Sequence, residues 1–210
     1  GVLDLAEEDY GDARAIAWAS DYLRRDHDKP FFLAVGTFRP HLPCYAPQHY
    51  FDRYPQNRIQ LPPILDTDIE HLPPTGQQFA AARRNCYEKV IEHDQFEAAV
   101  QAYLACITFA DAQIGRLLTA LEQSHHADNT LIVFFSDNGF HLGEKQHWHK
   151  STLWERATHV PFVISGPGIQ TPGTSTDRPV SLQDIYPTLV DLCDLPERPN
   201  YPLDGESLCP

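Results

Sequence analysis

Methionine is absent from the 210-residue sequence, which begins with Gly1. A chain of this kind does not start at a translation initiation site, so we interpret it as a processed product or a fragment of a longer protein. Its five cysteines form no CxxC pair, which argues against a zinc ribbon and a disulfide scaffold. No apolar run approaches the roughly 18 residues that span a bilayer, so the sequence predicts a soluble chain.

Positive charge is also scarce. Lysine and arginine total 16 against 29 aspartates and glutamates, which gives a formal net charge of −13. Nucleic acids and anionic membrane surfaces repel a chain this acidic, so we expect neither as a partner. An anionic small molecule must instead meet a locally basic patch.

Apolar periodicity predicts helices that alternate with strands. Helical spacing of apolar residues occurs in three segments: 12–25, 96–121 and 184–194. Three short apolar runs are typical of strands buried on both faces: 31–37, 130–136 and 161–165. Residues 43–75 are rich in proline and predict a long surface segment. This order indicates an α/β protein in which helices flank a largely parallel sheet.

Two segments follow predicted strands and carry polar chemistry. Arg39 and His41 come after the first strand, and residues 137–150 after the second hold three histidines and two lysines. Ligands of open α/β sheets gather at the carboxyl ends of strands. We therefore expect the two segments to meet around an anionic group, although Lys145 and Lys150 taken singly are also typical of surface charges.

A metal site at the end of the second strand is one of two interpretations. Asp137 and Asn138 offer adjacent side-chain oxygens, the ligand type that suits calcium or magnesium. The same pair followed by glycine is equally typical of a turn, and two oxygens are too few for a complete site. Zinc is disfavoured, because the three histidines of this segment lack the spacing of a helical zinc motif.

Several motifs occur in a fixed order along nearly the whole chain. They are the run 31–36 leading into Arg39-Pro40-His41-Leu42-Pro43, Asp137-Asn138-Gly139 with Leu142-Gly143-Glu144, Trp148-x-Lys150, and Asp184-Ile185-Tyr186-Pro187-Thr188. Together they resemble the sulfatase family, in particular its iduronate-2-sulfatase-like and choline-sulfatase-like branch. The resemblance implies an alkaline-phosphatase-like sandwich with a largely parallel central sheet. It also implies hydrolysis of sulfate esters, of a sulfated sugar or a small alcohol.

The resemblance implies roles for individual residues. Asp137 and Asn138 look like ligands of a calcium ion, with magnesium as an alternative. Lys150 looks like the lysine that contacts the sulfate, and His41 looks like the histidine near the leaving-group oxygen, where an imidazole can donate a proton. Four further residues are implied substrate contacts: Arg39, His141, Lys145 and His147.

The family's nucleophile is a formylglycine made within a C/S-x-P-x-R motif, and the sequence lacks that motif. We therefore expect residues 1–210 to be the middle-to-late part of a sulfatase catalytic domain, without its nucleophile-bearing segment and its C-terminal subdomain. The family implies an exported, periplasmic or extracellular, or a lysosomal location. Two alternatives stay open: a phosphodiesterase or phosphonate hydrolase of the same superfamily, and a noncatalytic calcium-dependent binder of sulfated glycans.

Overall fold

The structure is a computed structural model that describes residues 1–81, 85–196 and 202–209. The chain divides into two units. The first unit comprises Gly1–Asp128 and Asn138–His159, and the second comprises Asn129–Asp137 and Val160–Pro210. The segments around His41 and Lys150 therefore belong to the same unit.

Helices dominate the first unit. In chain order they are α1 (Gly11–Leu23), α2 (Gln48–Phe51), α3 (Pro74–Ala81), α4 (Asn85–Glu92), α5 (Phe96–Glu122) and α6 (Glu155–Thr158). The sequence predicts α1 and α5, and the structure confirms both. It does not predict α3, although α3 begins at Pro74, and proline is common in the first turn of a helix because its fixed φ already suits that position.

The core of the first unit lies between α1, α2 and α5. Phe109, which is fully buried on α5, meets the ring edges of Tyr10 and Tyr50 at centroid distances of 5.3 and 5.4 Å. Edge-to-face contacts of this kind add to the free energy gained by burying the rings. By length and composition α5 is apolar enough to cross a membrane, but Phe109 and Cys106 face this core, as in the central helix of a globular unit.

Glu7 joins three elements of the first unit through its carboxylate. The guanidinium of Arg116 donates to it at 2.5 Å, the amide of Gln113 at 3.1 Å and the hydroxyl of Tyr50 at 3.2 Å. The ring of His49 lies 3.2 Å from its second oxygen. A carboxylate with this many partners links α2 and α5 to the segment that precedes α1.

The second unit contains an antiparallel pair of strands, β1 (Ile132–Phe135) and β4 (Phe162–Ser165), and a helix, α7 (Ile185–Leu192). The sequence predicts all three, and the structure confirms them. The side chain of Asp184, just before α7, accepts from the backbone N–H groups of Ser181 and Glu206. These hydrogen bonds lower the pKa of Asp184 and hold the last described residues beside α7.

The predicted strand at 31–37 is not a strand in the described residues. No backbone ladder pairs this segment with another part of the described chain. Phe31 and Leu33 are half-buried, whereas Phe32 is 83% exposed, so burial on both faces is also wrong. An apolar run reports strand propensity, but only a neighbouring strand can satisfy its backbone groups.

The predicted parallel sheet is not confirmed. The strand pairs of the described residues are β1 with β4 and, in the first unit, β2 (His141–Leu142) with β3 (Trp148–His149), and both pairs are antiparallel. On β1, the consecutive residues Phe134 and Phe135 point to opposite faces of the strand pair and are 40% and 45% exposed. The architecture is nevertheless α/β, as the sequence predicts.

We expect Glu7→Gln to lower the free energy of unfolding by about 1–3 kcal/mol, because charged hydrogen bonds are lost and an amide donor then faces donors. Urea unfolding of the complete protein measures this. Asp21→Asn is the matched control, since Asp21 forms an exposed ion pair with Arg24 at 2.7 Å. Equal effects of the two substitutions would contradict the special role of Glu7.

Candidate functional site

A buried carboxylate on α1 fixes the backbone that leads to His41. Asp12 is 5% exposed, and its two oxygens accept from the N–H groups of Phe38, at 2.7 Å, and Arg39, at 3.1 Å. Buried carboxylates need such donors, because an unpaired buried charge is very costly. The segment carrying Arg39 and His41 is therefore attached to the first turn of α1.

The guanidinium of Arg39 turns back on its own loop. Its Nε donates to the carbonyl oxygen of Tyr45 at 2.6 Å, and its central carbon lies 5.0 Å from the centroid of the Phe38 ring. These contacts order the loop from both sides of His41. The predicted substrate contact of Arg39 stays a prediction.

His41 has a defined hydrogen-bond partner at one ring nitrogen. Its Nδ1 lies 2.6 Å from the carbonyl oxygen of Leu42, and a carbonyl oxygen only accepts, so Nδ1 carries a proton. Proton transfer by this ring therefore takes place at Nε2. The ring packs against Phe38 at 4.9 Å and meets the ring of His149 edge-on at 5.4 Å.

The contact between His41 and His149 brings the two basic segments together, as the sequence predicts. His149 belongs to the β2–β3 hairpin, in which His141 pairs with His149 and Leu142 with Trp148. Lys150 follows His149 directly. The expected meeting of the two segments thus occurs inside the first unit.

Left-handed backbone closes this hairpin. Gly143 has a φ of 112°, and Lys145 and Gln146 have φ values of 59° and 51°. A glycine accepts such a φ at little cost, whereas the other two residues need support from surrounding contacts. That support comes from the carboxylate of Asp68, which accepts from the backbone N–H and the ammonium of Lys145.

His141 and His147 stabilise the hairpin from inside. They are 0% and 2% exposed. Nε2 of His141 lies 2.8 Å from the hydroxyl of Thr152, and Nε2 of His147 donates to the carbonyl oxygen of Lys150 at 2.9 Å. Burial, and secondarily the charge of His147, lowers the pKa of His141, which favours the neutral ring. Their predicted contact with substrate stays a prediction, and the geometry gives both rings a structural role.

The ammonium of Lys145 is paired with Asp68. Nζ lies 2.6 Å from one carboxylate oxygen, and the backbone N–H of Lys145 donates to the other at 3.1 Å. The hydrogen bond from Nζ lowers the pKa of Asp68. The ion pair therefore contributes its full stabilisation above the ordinary pKa of aspartate and loses it as the pH falls towards the lowered value.

Lys150 differs from Lys145 in its surroundings. Its side chain is half-buried, and the residue directly before it, His149, contacts the ring of His41. Within the part of the chain that the structure describes, its ammonium forms no ion pair. Of the two lysines that the sequence singles out, Lys150 is thus the one whose charge is available to an anion.

The predicted metal ligands supply oxygen donors of the right kind. Asp137 is exposed at the end of the segment that carries β1, and Asn138 is half-buried, with its amide nitrogen donating to the carbonyl oxygen of Gly139 at 2.8 Å. Among the described residues, no group of three or more histidine, cysteine or acidic side chains forms a metal site. Calcium takes about six to eight oxygens, so these two residues fit part of its coordination sphere.

The sequence does not predict two residues that position the site, Asp12 and Asp68. Asp12 breaks the apolar face of α1, and a charged residue at a core position of a helix is the signal that could have identified it. Asp68 gives no such signal, because it lies 77 positions before Lys145 in a proline-rich segment. Its role becomes visible only when the chain is folded.

Comparison with known proteins identifies the family. The sulfatase family model matches residues 5–195. A sulfatase of Formosa agariphila is 41% identical over 88% of this chain and 36% of its own length. Human iduronate 2-sulfatase is 30% identical over 96% of this chain and 43% of its own length. A choline-sulfatase of Rhizobium meliloti is 32% identical, with coverages of 90% and 37%.

A solved structure shares the fold. The phosphonate monoester hydrolase of Silicibacter pomeroyi superposes with a TM-score of 0.79 at 27% identity, over 97% of this chain and 41% of that chain. The chain thus spans well under half the length of these relatives and has an alkaline-phosphatase-like fold. The similarity to iduronate 2-sulfatase and choline-sulfatase confirms the predicted branch. The chain belongs to the sulfatase family.

Proposed function

We propose that the protein containing this chain hydrolyses sulfate esters. The observation that carries the proposal is the contact of His41 with His149 at 5.4 Å, which places a proton donor beside the segment that bears Lys150. The names of the relatives support a sulfate ester of a sugar or a small alcohol as the substrate.

The chemistry of this site follows from the two side chains. The ammonium of Lys150 stabilises negative charge that builds on the sulfate oxygens as the ester bond breaks. Protonated His41 donates from Nε2 to the departing alcohol oxygen, while the carbonyl of Leu42 holds the ring through Nδ1. Asp12 acts through the backbone, because it fixes the two residues that precede the His41 turn.

Two groups complete the proposed site. We propose Asp137 and Asn138 as ligands of a calcium ion, with magnesium as the alternative, because both offer hard oxygen donors. When bound, the cation would stabilise charge on the sulfate, and a formylglycine supplied by a segment outside these 210 residues would provide the nucleophile. The remaining proposed substrate contacts are Arg39, His141, Lys145 and His147.

For the complete protein we also propose a largely parallel central sheet and an exported or lysosomal location. The continuous apolar run of residues 31–37 supports a strand that joins a largely parallel central sheet in the complete protein. In this arrangement residues 1–210 form the middle-to-late part of the catalytic domain. The family supports an exported or lysosomal location.

Hydrolysis of phosphonate monoesters is a second candidate function. The structural similarity to the phosphonate monoester hydrolase, with a TM-score of 0.79, favours it. Sulfate and phosphonate esters present similar oxygens to a cation and an ammonium group. The hydrolysis rates of the complete protein with phenyl sulfate and with phenyl methylphosphonate separate the two candidate activities.

A noncatalytic binder is the other alternative. Tight, calcium-dependent binding of sulfated glycans, without hydrolysis of phenyl sulfate or phenyl methylphosphonate, would indicate it.

We expect Lys150→Ala to lower kcat of the complete protein by about 100-fold or more, because charge on the sulfate loses a positioned cation. Lys29→Ala is the matched control, since Lys29 is exposed. Steady-state rates with a sulfate ester measure both variants. A Lys150→Ala variant as active as the control would remove Lys150 from the site.

Removal of a metal ligand has a readout that does not depend on turnover. We expect Asp137→Ala to abolish most of the rise in Tm that calcium produces in chelator-treated complete protein, because a ligand stabilises the folded state less as its affinity falls. Asp177→Ala, an exposed aspartate of the same unit, should keep that rise. A full calcium response in the Asp137 variant contradicts the ligand assignment.

Asp12→Asn tests the attachment of the His41 segment to α1. An asparagine keeps one acceptor oxygen and turns an amide donor towards a backbone N–H, so the segment should shift. We expect kcat to fall by about tenfold with little change in KM, because misplaced catalytic groups cost rate. Asp21→Asn on the same helix is the control, and the expectation fails if both variants keep the wild-type kcat.

A further inference from the structure

Two cysteines from distant parts of the sequence lie in the core of the first unit. Cys44 belongs to the loop of residues 39–46, which carries His41, and Cys106 lies on α5. Their side chains are 9% and 0% exposed, and both belong to the buried cluster around Phe109. The structure holds both as free thiols. The proposed chemistry of His41 and Lys150 uses neither of them.

The two thiols are joined by hydrogen bonding. Cys106 is a side-chain hydrogen-bond partner of Cys44. The sulfur of Cys44 in turn donates to the carbonyl oxygen of Pro40 at 3.7 Å. Hydrogen bonding between two thiols requires that their sulfur atoms lie close together, and closeness of the two side chains is the first requirement for a disulfide.

This hydrogen bond gives the two thiols different acidities. It lowers the pKa of Cys44, because it stabilises the thiolate of that residue. The same bond, and secondarily burial, raises the pKa of Cys106. The thiolate is the nucleophile in thiol–disulfide exchange, so Cys44 is the sulfur that reacts first and Cys106 is the sulfur that follows.

A bond between these two residues would hold the loop on the side opposite to Asp12. The carboxylate of Asp12 attaches the backbone of Phe38 and Arg39, which precede His41, to α1. Cys44 comes after His41 in the same loop and would attach the other end to α5. A covalent link between distant parts of the sequence stabilises the folded state, mainly because it restricts the unfolded chain.

We propose that Cys44 and Cys106 form a disulfide under oxidising conditions, and that this bond fastens the loop of residues 39–46 to α5. The proposal goes beyond the hydrolysis of sulfate esters and does not depend on it. A single bridge is not the disulfide scaffold that the cysteine spacing argues against. Disulfides persist outside the cytosol, which agrees with the exported location proposed for the complete protein.

The oxidant is a small-molecule disulfide, for which oxidised glutathione is the probe. The thiolate of Cys44 attacks one sulfur of the probe, so a mixed disulfide forms and one glutathione thiolate leaves. Cys106 then loses its proton to solvent, and its sulfur attacks that of Cys44 and releases the second glutathione. The two cysteines lose two protons and two electrons in total, and the oxidant is reduced to two thiols.

Peptide mapping of the complete protein tests the bond. The protein is treated with oxidised glutathione, both in its native state and during refolding, and is then denatured, alkylated and digested. We expect a linked pair of peptides, joined through Cys44 and Cys106, that is lighter by two hydrogen atoms than the two free peptides together. Dithiothreitol should remove it. Cys86 and Cys193 are exposed, and they should be recovered without a link to either residue.

Thermal unfolding tests whether the bond fastens the loop. We expect oxidation to raise the Tm of the wild type by about 3 °C or more, and reduction to reverse the rise. Cys106→Ala should abolish the rise, whereas the matched control Cys193→Ala, at an exposed cysteine, should keep it. Cys44→Ser is the second variant in case Cys106→Ala does not fold, and the comparison of the oxidised and reduced wild type needs no variant.

Three results overturn the proposal. In the first, Cys44 and Cys106 are recovered as free thiols after both treatments. In the second, glutathione stays attached to Cys44 and is not displaced by Cys106. In the third, the linked peptides form but Tm does not rise. Since none of these measurements depends on turnover, failure of the disulfide is distinguishable from failure of the proposed function.

Discussion

The buried carboxylate of Asp12 is the interaction on which the candidate site depends. A charge at this depth is tolerated only with several donors, and the chain provides them from the backbone of Phe38 and Arg39. Helix α1 is held in turn by its packing on α5. The position of His41 is therefore fixed by the packing of α1 in the first unit, through Asp12, and not by its loop alone.

The basic segment is rigid because most of its polar groups bind one another or their neighbours. The ring nitrogens of His141 and His147 form hydrogen bonds within and next to the hairpin, and the ammonium of Lys145 forms an ion pair with Asp68. Such internal pairing gives the left-handed residues of the turn the support that they need. It also leaves Lys150 as the lysine of this segment whose charge is available to an anion. The segment looks uniformly basic in the sequence, but His141, Lys145 and His147 stabilise the hairpin, whereas Lys150 does not.

Local periodicity explains which elements could be predicted. Helices α1, α5 and α7 and strands β1 and β4 are fixed by apolar spacing within each segment, and the structure confirms them. Whether residues 31–37 find a strand partner depends on distant chain, and so does the pairing of Asp68 with Lys145 across 77 positions. The meeting of His41 with residues 137–150 agrees with the expectation from the sequence, although the parallel sheet on which that expectation rested is not confirmed. The burial of His141 was not predictable, because the periodicity of a short hairpin does not indicate how deeply its side chains are buried.

For the proposed hydrolysis of sulfate esters, the ion pair of Lys145 with Asp68 would have a consequence for product release. An inorganic sulfate dianion binds more tightly with each unpaired cation that it meets, and a site crowded with such cations would retain its product. Because the fold neutralises Lys145 internally, a departing dianion would meet less positive charge than the composition of the hairpin indicates. Under the proposed function, Asp68 would thus both order the turn and ease the release of the product.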